Sequence, residues 1–175
     1  MNISVYDLTI PQFTTNLKAL RKILIKAQVY AESKKFDSSV LLQTRLAPDQ
    51  FPFLKQVQIA TDNAKGCVAR LTDVQVPKFE DNEKTMDELL ARIDKTVAFL
   101  NTIKPDDFKG YETKKASFPW YPGMYLEGKD YLVQHLLPNF YFHVTTAYSI
   151  LRHTGMELGK GDYLGEQNWK KAQVT

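Results

Sequence analysis

Residues 131–155 read YLVQHLLPNFYFHVTTAYSILRHTG and hold all three histidines of the chain. Imidazoles gathered on one segment raise two readings: a helix that holds a divalent metal through neutral ring nitrogens, or a packing helix with incidental imidazoles. Their positions separate them. His135 precedes Pro138, and proline breaks a helix from within, so His135 falls before the main helix or at its fraying start. His153 lies roughly opposite Val144 on a helical wheel, on the exposed face, where a cation near a helix C-terminus gains modestly from the dipole. His143 lies inside a wide apolar arc with Leu136, Phe140, Ala147 and Ile150. A buried imidazole needs a hydrogen-bond partner. It is either a satisfied core histidine or a ligand or catalytic group.

Asn139 stands four residues before His143. Side chains at that spacing converge on a helix, and helix-borne metal sites often put histidine at both ends of it. An amide oxygen is a weak ligand for zinc or nickel, so the pair supplies one good donor. Other polar groups fall on apolar faces elsewhere. Asn16 lies about 40° from Leu20 on the wheel, and Gln56 flanks the stripe Phe53, Val57, Ala60, Ala64, Cys67, Val68, Leu71. Asp62 points away from that stripe and is a poor candidate for interior chemistry. Cys67 reads as a small core hydrophobe, since no neighbouring cation in sequence would lower its pKa. The run GKGDYLG at 159–165 follows a helix and opens none, which argues against a phosphate loop. No nucleophile elbow is present.

Four amphipathic segments must position these groups. Tyr6, Phe13, Leu17, Leu20, Leu24, Ala27 and Ala31 step by three and four, which predicts a long first helix with Pro11 near its start. A second helix begins near Phe51 or Pro52, because proline is favoured at a first helical position. A polar connection, TDVQVPKFEDNEK, is long enough to cross a bundle from end to end. The third helix carries Met86, Leu89, Leu90, Ile93, Val97, Leu100 and Ile103, and Pro105 ends it. Residues 106–130 hold six aromatics broken by prolines and glycines. They predict a β-hairpin or compact aromatic loop, acting as a structural plug or as a lid over a ligand pocket. The fourth helix begins near Leu137 or Pro138 and ends at Gly155. Beyond it, Tyr163 and Trp169 are candidates to dock back on the bundle. The fold class is all-α, one domain over residues 1–175.

Composition excludes several function classes. The net charge is +3, and the lysine pairs are scattered, so no nucleic-acid footprint is expected. One cysteine permits no intramolecular disulfide and suits a reducing compartment. The N-terminal residues lack a secretory signal pattern, and no stretch approaches the roughly 18 apolar residues of a membrane span. The expectation is a cytoplasmic protein with no membrane partner.

Two segments carry a resemblance: LAPDQFPFLKQVQIATDNAKGCVARL at 46–71 and PNFYFHVTTAYSILRHTGMELGKGDYLG at 138–165. With four amphipathic helices, a long second crossover and a histidine early in the fourth helix, the chain resembles the DinB/YfiT-like superfamily, and within it an uncharacterised bacterial branch. The resemblance covers nearly the whole chain. It implies an up-down-down-up four-helix bundle, often dimeric. Many members bind a divalent metal through three histidines, one on the second helix and two spaced by four on the fourth, and some are thiol-dependent transferases or isomerases. Carried onto this chain, the paired positions fall on Asn139 and His143, and the single one near Gln56. One histidine of three is kept.

Three readings follow. The first is a small-molecule binder with a degenerate metal triad and no cofactor, its polar pocket lined by Asn16, Gln56, Asn139 and His143, with Trp120 and Tyr121 near the mouth. The second is a metal-dependent hydrolase or thiol transferase using His143 with zinc or nickel. The third is a non-catalytic, stress-linked homodimer.

Overall fold

The computed structural model describes residues 3–172. Among them run seven helices and one small sheet: α1 (Val5–Ser33), α2 (Ser39–Leu42), α3 (Phe53–Leu71), α4 (Met86–Leu100), β1 (Lys115–Ser117), β2 (Tyr125–Glu127), α5 (Gly128–Asp130), α6 (Leu137–His153) and α7 (Lys160–Leu164). Two 3₁₀ turns precede β1, and a π-helical stretch, Tyr131–Leu136, joins α5 to α6. The predicted all-α class holds, with β1 and β2 forming the one short hairpin.

The helix starts follow from local chemistry. Ser4 caps α1 by accepting from the Asp7 amide while the Asp7 carboxylate accepts from the Ser4 amide. Thr85 and Glu88 do the same for α4. Such reciprocal caps satisfy amide donors that have no partner inside the helix. Helix α1 runs through Pro11 unbroken. Pro11 and Asp7 both face solvent, so water can satisfy the Asp7 carbonyl that the missing proline N–H leaves open.

The predicted stripes are the core. Phe13, Leu17, Leu20, Leu24 and Ala27 of α1 meet Phe53, Val57, Ala60, Ala64 and Val68 of α3 and Leu89 and Ile93 of α4 in one buried cluster. Phe13 and Phe140 bring α1 onto α6, with ring centroids 4.2 Å apart. Farther along, the Tyr30 hydroxyl reaches the Thr154 carbonyl. Between α3 and α6 the order reverses: His143 meets Gln56, and Asn139 meets Asn63. Between α1 and α4, Arg21 pairs with Asp94 and Gln28 with Asp87.

The crossover after α3 is pinned by a buried cation. The Arg92 side chain is 1% exposed and bonds Asp62 at 2.7 Å, Glu83 at 2.9 Å and Asp81 at 3.1 Å. Burial works against the Arg92 charge, but Glu83, Asp62 and Asp81 more than offset it and raise its pKa. Lys65 adds a bond to Asp62 and lies over the Phe79 ring. Asp62 does leave the apolar stripe, as the wheel predicts, but it is not idle there: it bridges α3 to Arg92 and Lys65.

The start of the fourth helix departs from expectation. Leu137 opens α6 as predicted, yet α5 and the π stretch carry helical backbone straight into it, so His135 lies inside a helical run. The widened π turn relieves the clash that Pro138 would make with the carbonyl four residues back. Val133 and Gln134, whose carbonyls lose their usual partner, face solvent. Of the two tail aromatics, Tyr163 docks, with its hydroxyl 3.0 Å from the Thr145 hydroxyl and its ring edge-on to Tyr148. Trp169 is 86% exposed and does not.

Candidate functional site

The six residues singled out in the sequence occupy three regions. Gln56, Asn139 and His143 lie on the seam between α3 and α6. Asn16 lies in a cleft of α1 with Tyr141 and Tyr163, and its amide donates to the Gln12 carbonyl. Trp120 and Tyr121 lie on the β1–β2 hairpin. The hairpin packs near Arg70, fourteen residues beyond Gln56 on α3 and so about 21 Å along the helix axis. They do not share one pocket.

On the seam, His143 is buried. Its Nδ1 lies 2.6 Å from Gln56 Oε1. An amide oxygen only accepts, so Nδ1 carries the proton and Nε2 is an acceptor. The Gln56 amide donates in turn to the Phe51 carbonyl at 2.9 Å. Burial pulls the His143 pKa down to about 4, so the ring is neutral at pH 7. One helical turn away, Asn139 Nδ2 donates to Asn63 Oδ1 at 2.9 Å, and Asn63 Nδ2 is buried without an acceptor.

These donors do not fit zinc or nickel. The positions that the resemblance assigns to three histidines hold one imidazole and two amides, and the Gln56 oxygen is engaged by the one imidazole. Among the described residues, no three His, Cys, Asp or Glu side chains are placed to share a metal ion. Cys67 offers no alternative: it is fully buried on the core stripe, and burial pushes its thiol up to about 12.

An apolar cavity lies at the hairpin. It measures about 200 Å³ and is walled by Phe118, Tyr121, Met124, Tyr125, Leu126 and His135. Strand register sets its walls: Ala116 faces Leu126 and Ser117 faces Tyr125 across the hairpin. The π stretch supplies the floor, setting His135 tilted against Phe118 at 4.5 Å and stacked on Tyr131 at 5.7 Å between centroids. Trp120 packs on the Phe118 ring at 5.1 Å. Tyr121 and Met124 are more than half exposed at the rim. Burial, then the nearby Arg70 charge, lowers the His135 pKa, which keeps its ring neutral at pH 7.

Sequence reasoning placed Tyr121 at the mouth of a pocket but not beside His135. The pairing joins residues fourteen apart in two different elements, and no spacing rule reports it. Arg92 carried a legible signal that went unused: it stands three residues after Leu89 and four before Thr96, on the buried face of α4.

Comparison with known proteins agrees with this architecture. A family described as a domain of unknown function, DUF1993, matches residues 5–164. A solved structure described as the crystal structure of a DinB family member from Shewanella denitrificans is 48% identical, with a TM-score of 0.91, covering 95% of this chain and 95% of that one. A search of the curated proteins finds no match. A single family match spanning nearly the whole chain, with a DinB family member sharing its fold at this identity, places the protein in the DUF1993 family.

Proposed function

We propose that the protein binds a small molecule without a metal, and that the ligand enters the aromatic cavity under the hairpin. The observation that carries this reading is the cavity itself: five apolar or aromatic side chains and one neutral imidazole around a space of about 200 Å³. Small-molecule sites are concave and largely apolar, with few polar groups to orient the ligand. On this reading the hairpin is a lid. The α3–α6 seam is a structural replacement for a metal centre, in which Gln56 and His143 satisfy each other.

The up-down-down-up order belongs to the same proposal. Support comes from contact order: α1 and α6 meet with residue numbers rising together, while α3 against α6 and α4 against α1 meet with numbers opposed.

Two measurements test the reading. Titration with a neutral aromatic probe, indole, should shift backbone amide resonances of Tyr121, Met124, Leu126 and His135, and the cavity-filling substitution Leu126→Trp should abolish the shifts. Shifts spread evenly over the surface, or confined to α1, refute the site. Metal analysis of untagged protein after equilibration with zinc and nickel should find well under one ion per chain; a stoichiometric ion lost on His143→Ala refutes the metal-free reading.

A further inference from the structure

Arg70 is half-buried on α3 against Phe118, a wall of this cavity, and is not itself one of the residues that line it. Its guanidinium carbon lies 4.8 Å from the centroid of Phe118, a cavity wall, and 5.7 Å from that of Tyr131. Of its five N–H donors, one makes a long bond of 3.4 Å to the Gly66 carbonyl, and the guanidinium also donates towards the Tyr131 hydroxyl. Gly66 leaves room for the headgroup: a Cβ there would stand 2.7 Å from Arg70 Nη1.

Among the described residues no carboxylate pairs with Arg70. The contrast with Arg92 is sharp. That buried arginine holds three carboxylates, whereas Arg70 has aromatic faces and open donors. Acids of the neighbouring elements have other partners: Asp73 pairs with Lys114, Glu127 with Lys129, and Asp130 accepts from Gln134. A second cation flanks the cavity, with Lys115 Nζ 4.7 Å from the centroid of Tyr125. No acidic side chain lines the space. A partly desolvated guanidinium without a counter-ion is costly, and its planar fork matches a carboxylate in two parallel bonds.

We propose that the ligand of this pocket is a small organic acid, with an apolar or aromatic body between Phe118, Tyr121 and Leu126 and its carboxylate held by Arg70. This rests on the reading of the cavity as the ligand site and adds the charge of the ligand to it. Lys115 at the Tyr125 edge raises the local positive potential and favours entry of the anion. The neutral His135 ring offers a second hydrogen bond.

The test compares 3-phenylpropionate with 3-phenylpropanamide, two probes of nearly equal shape and different charge, by calorimetric titration of the full chain at pH 7. The acid should bind about 10- to 100-fold tighter, the range expected for a hydrogen-bonded charge pair. Arg70→Gln should bring the acid down to the affinity of the amide and leave the amide unchanged, and Arg70→Lys should keep part of the preference. If neither probe binds, the cavity is not the site, and both readings fall. If both bind equally to the wild type, the site stands and the acid is overturned. If Arg70→Gln weakens both probes alike, Arg70 only supports the wall, and the acid is again overturned. Should Arg70→Gln fail to fold, the acid-to-amide ratio in the wild type decides, and a ratio near one overturns the proposal.

Discussion

Replacing Arg92 with alanine should cost the protein about 3 kcal/mol of stability. The guanidinium is 1% exposed and touches three carboxylates and the Thr61 hydroxyl, the last at 2.7 Å. At an effective dielectric of about 20, each pair near 4 Å is worth roughly 4 kcal/mol of attraction, most of it offset by desolvation. Breaking a buried pair from one side typically costs about 3–5 kcal/mol, because the abandoned charge stays behind. Here the lower end applies. Asp62 and Asp81 are 42% and 38% exposed, so water can solvate them, and Lys55 and Lys65 still face them. With a urea slope of about 2 kcal/mol per molar, the midpoint should fall by about 1.5 M with the slope unchanged. Circular dichroism during urea titration reads both. Acid should narrow the gap. Burial raises the Asp81 carboxyl, but Lys55 and Arg92 outweigh it and the net pKa is lowered. A carboxylate held low contributes stability above its unfolded pKa of about 3.9 and loses it as pH falls through the folded value. The difference between wild type and Arg92→Ala should therefore shrink below about pH 4. A cost below about 1 kcal/mol at pH 7, the value of an exposed ion pair, would refute the argument and mark the cluster as screened by water.

Three further outcomes are expected. His143, with its pKa lowered to about 4, contributes stability that is complete above its unfolded pKa and lost as pH falls from 6.5 towards 4; wild type should lose up to about 3 kcal/mol over that window, and His143→Gln should flatten the loss in urea melts at pH 7 and pH 5. The Cys67 thiol, buried and pushed up to about 12, should react with a disulfide reagent only as fast as the chain unfolds, and modification of the native protein in seconds would contradict its burial. Gly128→Ala should destabilise by about 2 kcal/mol or more, because a Cβ there would lie 1.7 Å from the Tyr111 carbonyl oxygen; an unchanged melting temperature would show that the join between β2 and α5 shifts freely.

The core was legible because it is periodic. Stripes at steps of three and four named Phe13, Leu17, Phe53, Val57, Leu89 and Ile93, and all are buried. His143 was legible for the same reason, as a polar residue inside an apolar arc. Its partner Gln56 was legible as the flank of another stripe. What escaped was set by contacts between distant segments. Asp62 points away from its own apolar stripe, and its role comes from Arg92 of α4 and from Lys65, contacts that no single wheel shows. The hairpin was anticipated as a segment, but its cavity depends on where the π stretch aims His135 and Tyr131. The common pocket expected for Asn16, Gln56, Asn139, His143, Trp120 and Tyr121 divides because Asn16 turns into a cleft with Tyr141 and Tyr163, and because Trp120 and Tyr121 lie on the hairpin near Arg70, a distance along α3 that no helical wheel reports.

The π stretch has a further consequence for the tolerance of this chain to length changes. A π turn absorbs about one residue more than an α turn, so it offsets the angular phase of the segment before it by about 100° relative to α6. Tyr131 and His135 face Arg70 and Phe118 because of that offset. Deleting the exposed Val133 would press the backbone towards regular α-helix and restore the clash between Pro138 and the carbonyl four residues back. It would also swing the aromatic floor away from the hairpin while leaving His143 and the seam in place. The two regions are thus coupled through a single surplus residue, and a shortened chain of this kind should keep its fold and lose its pocket.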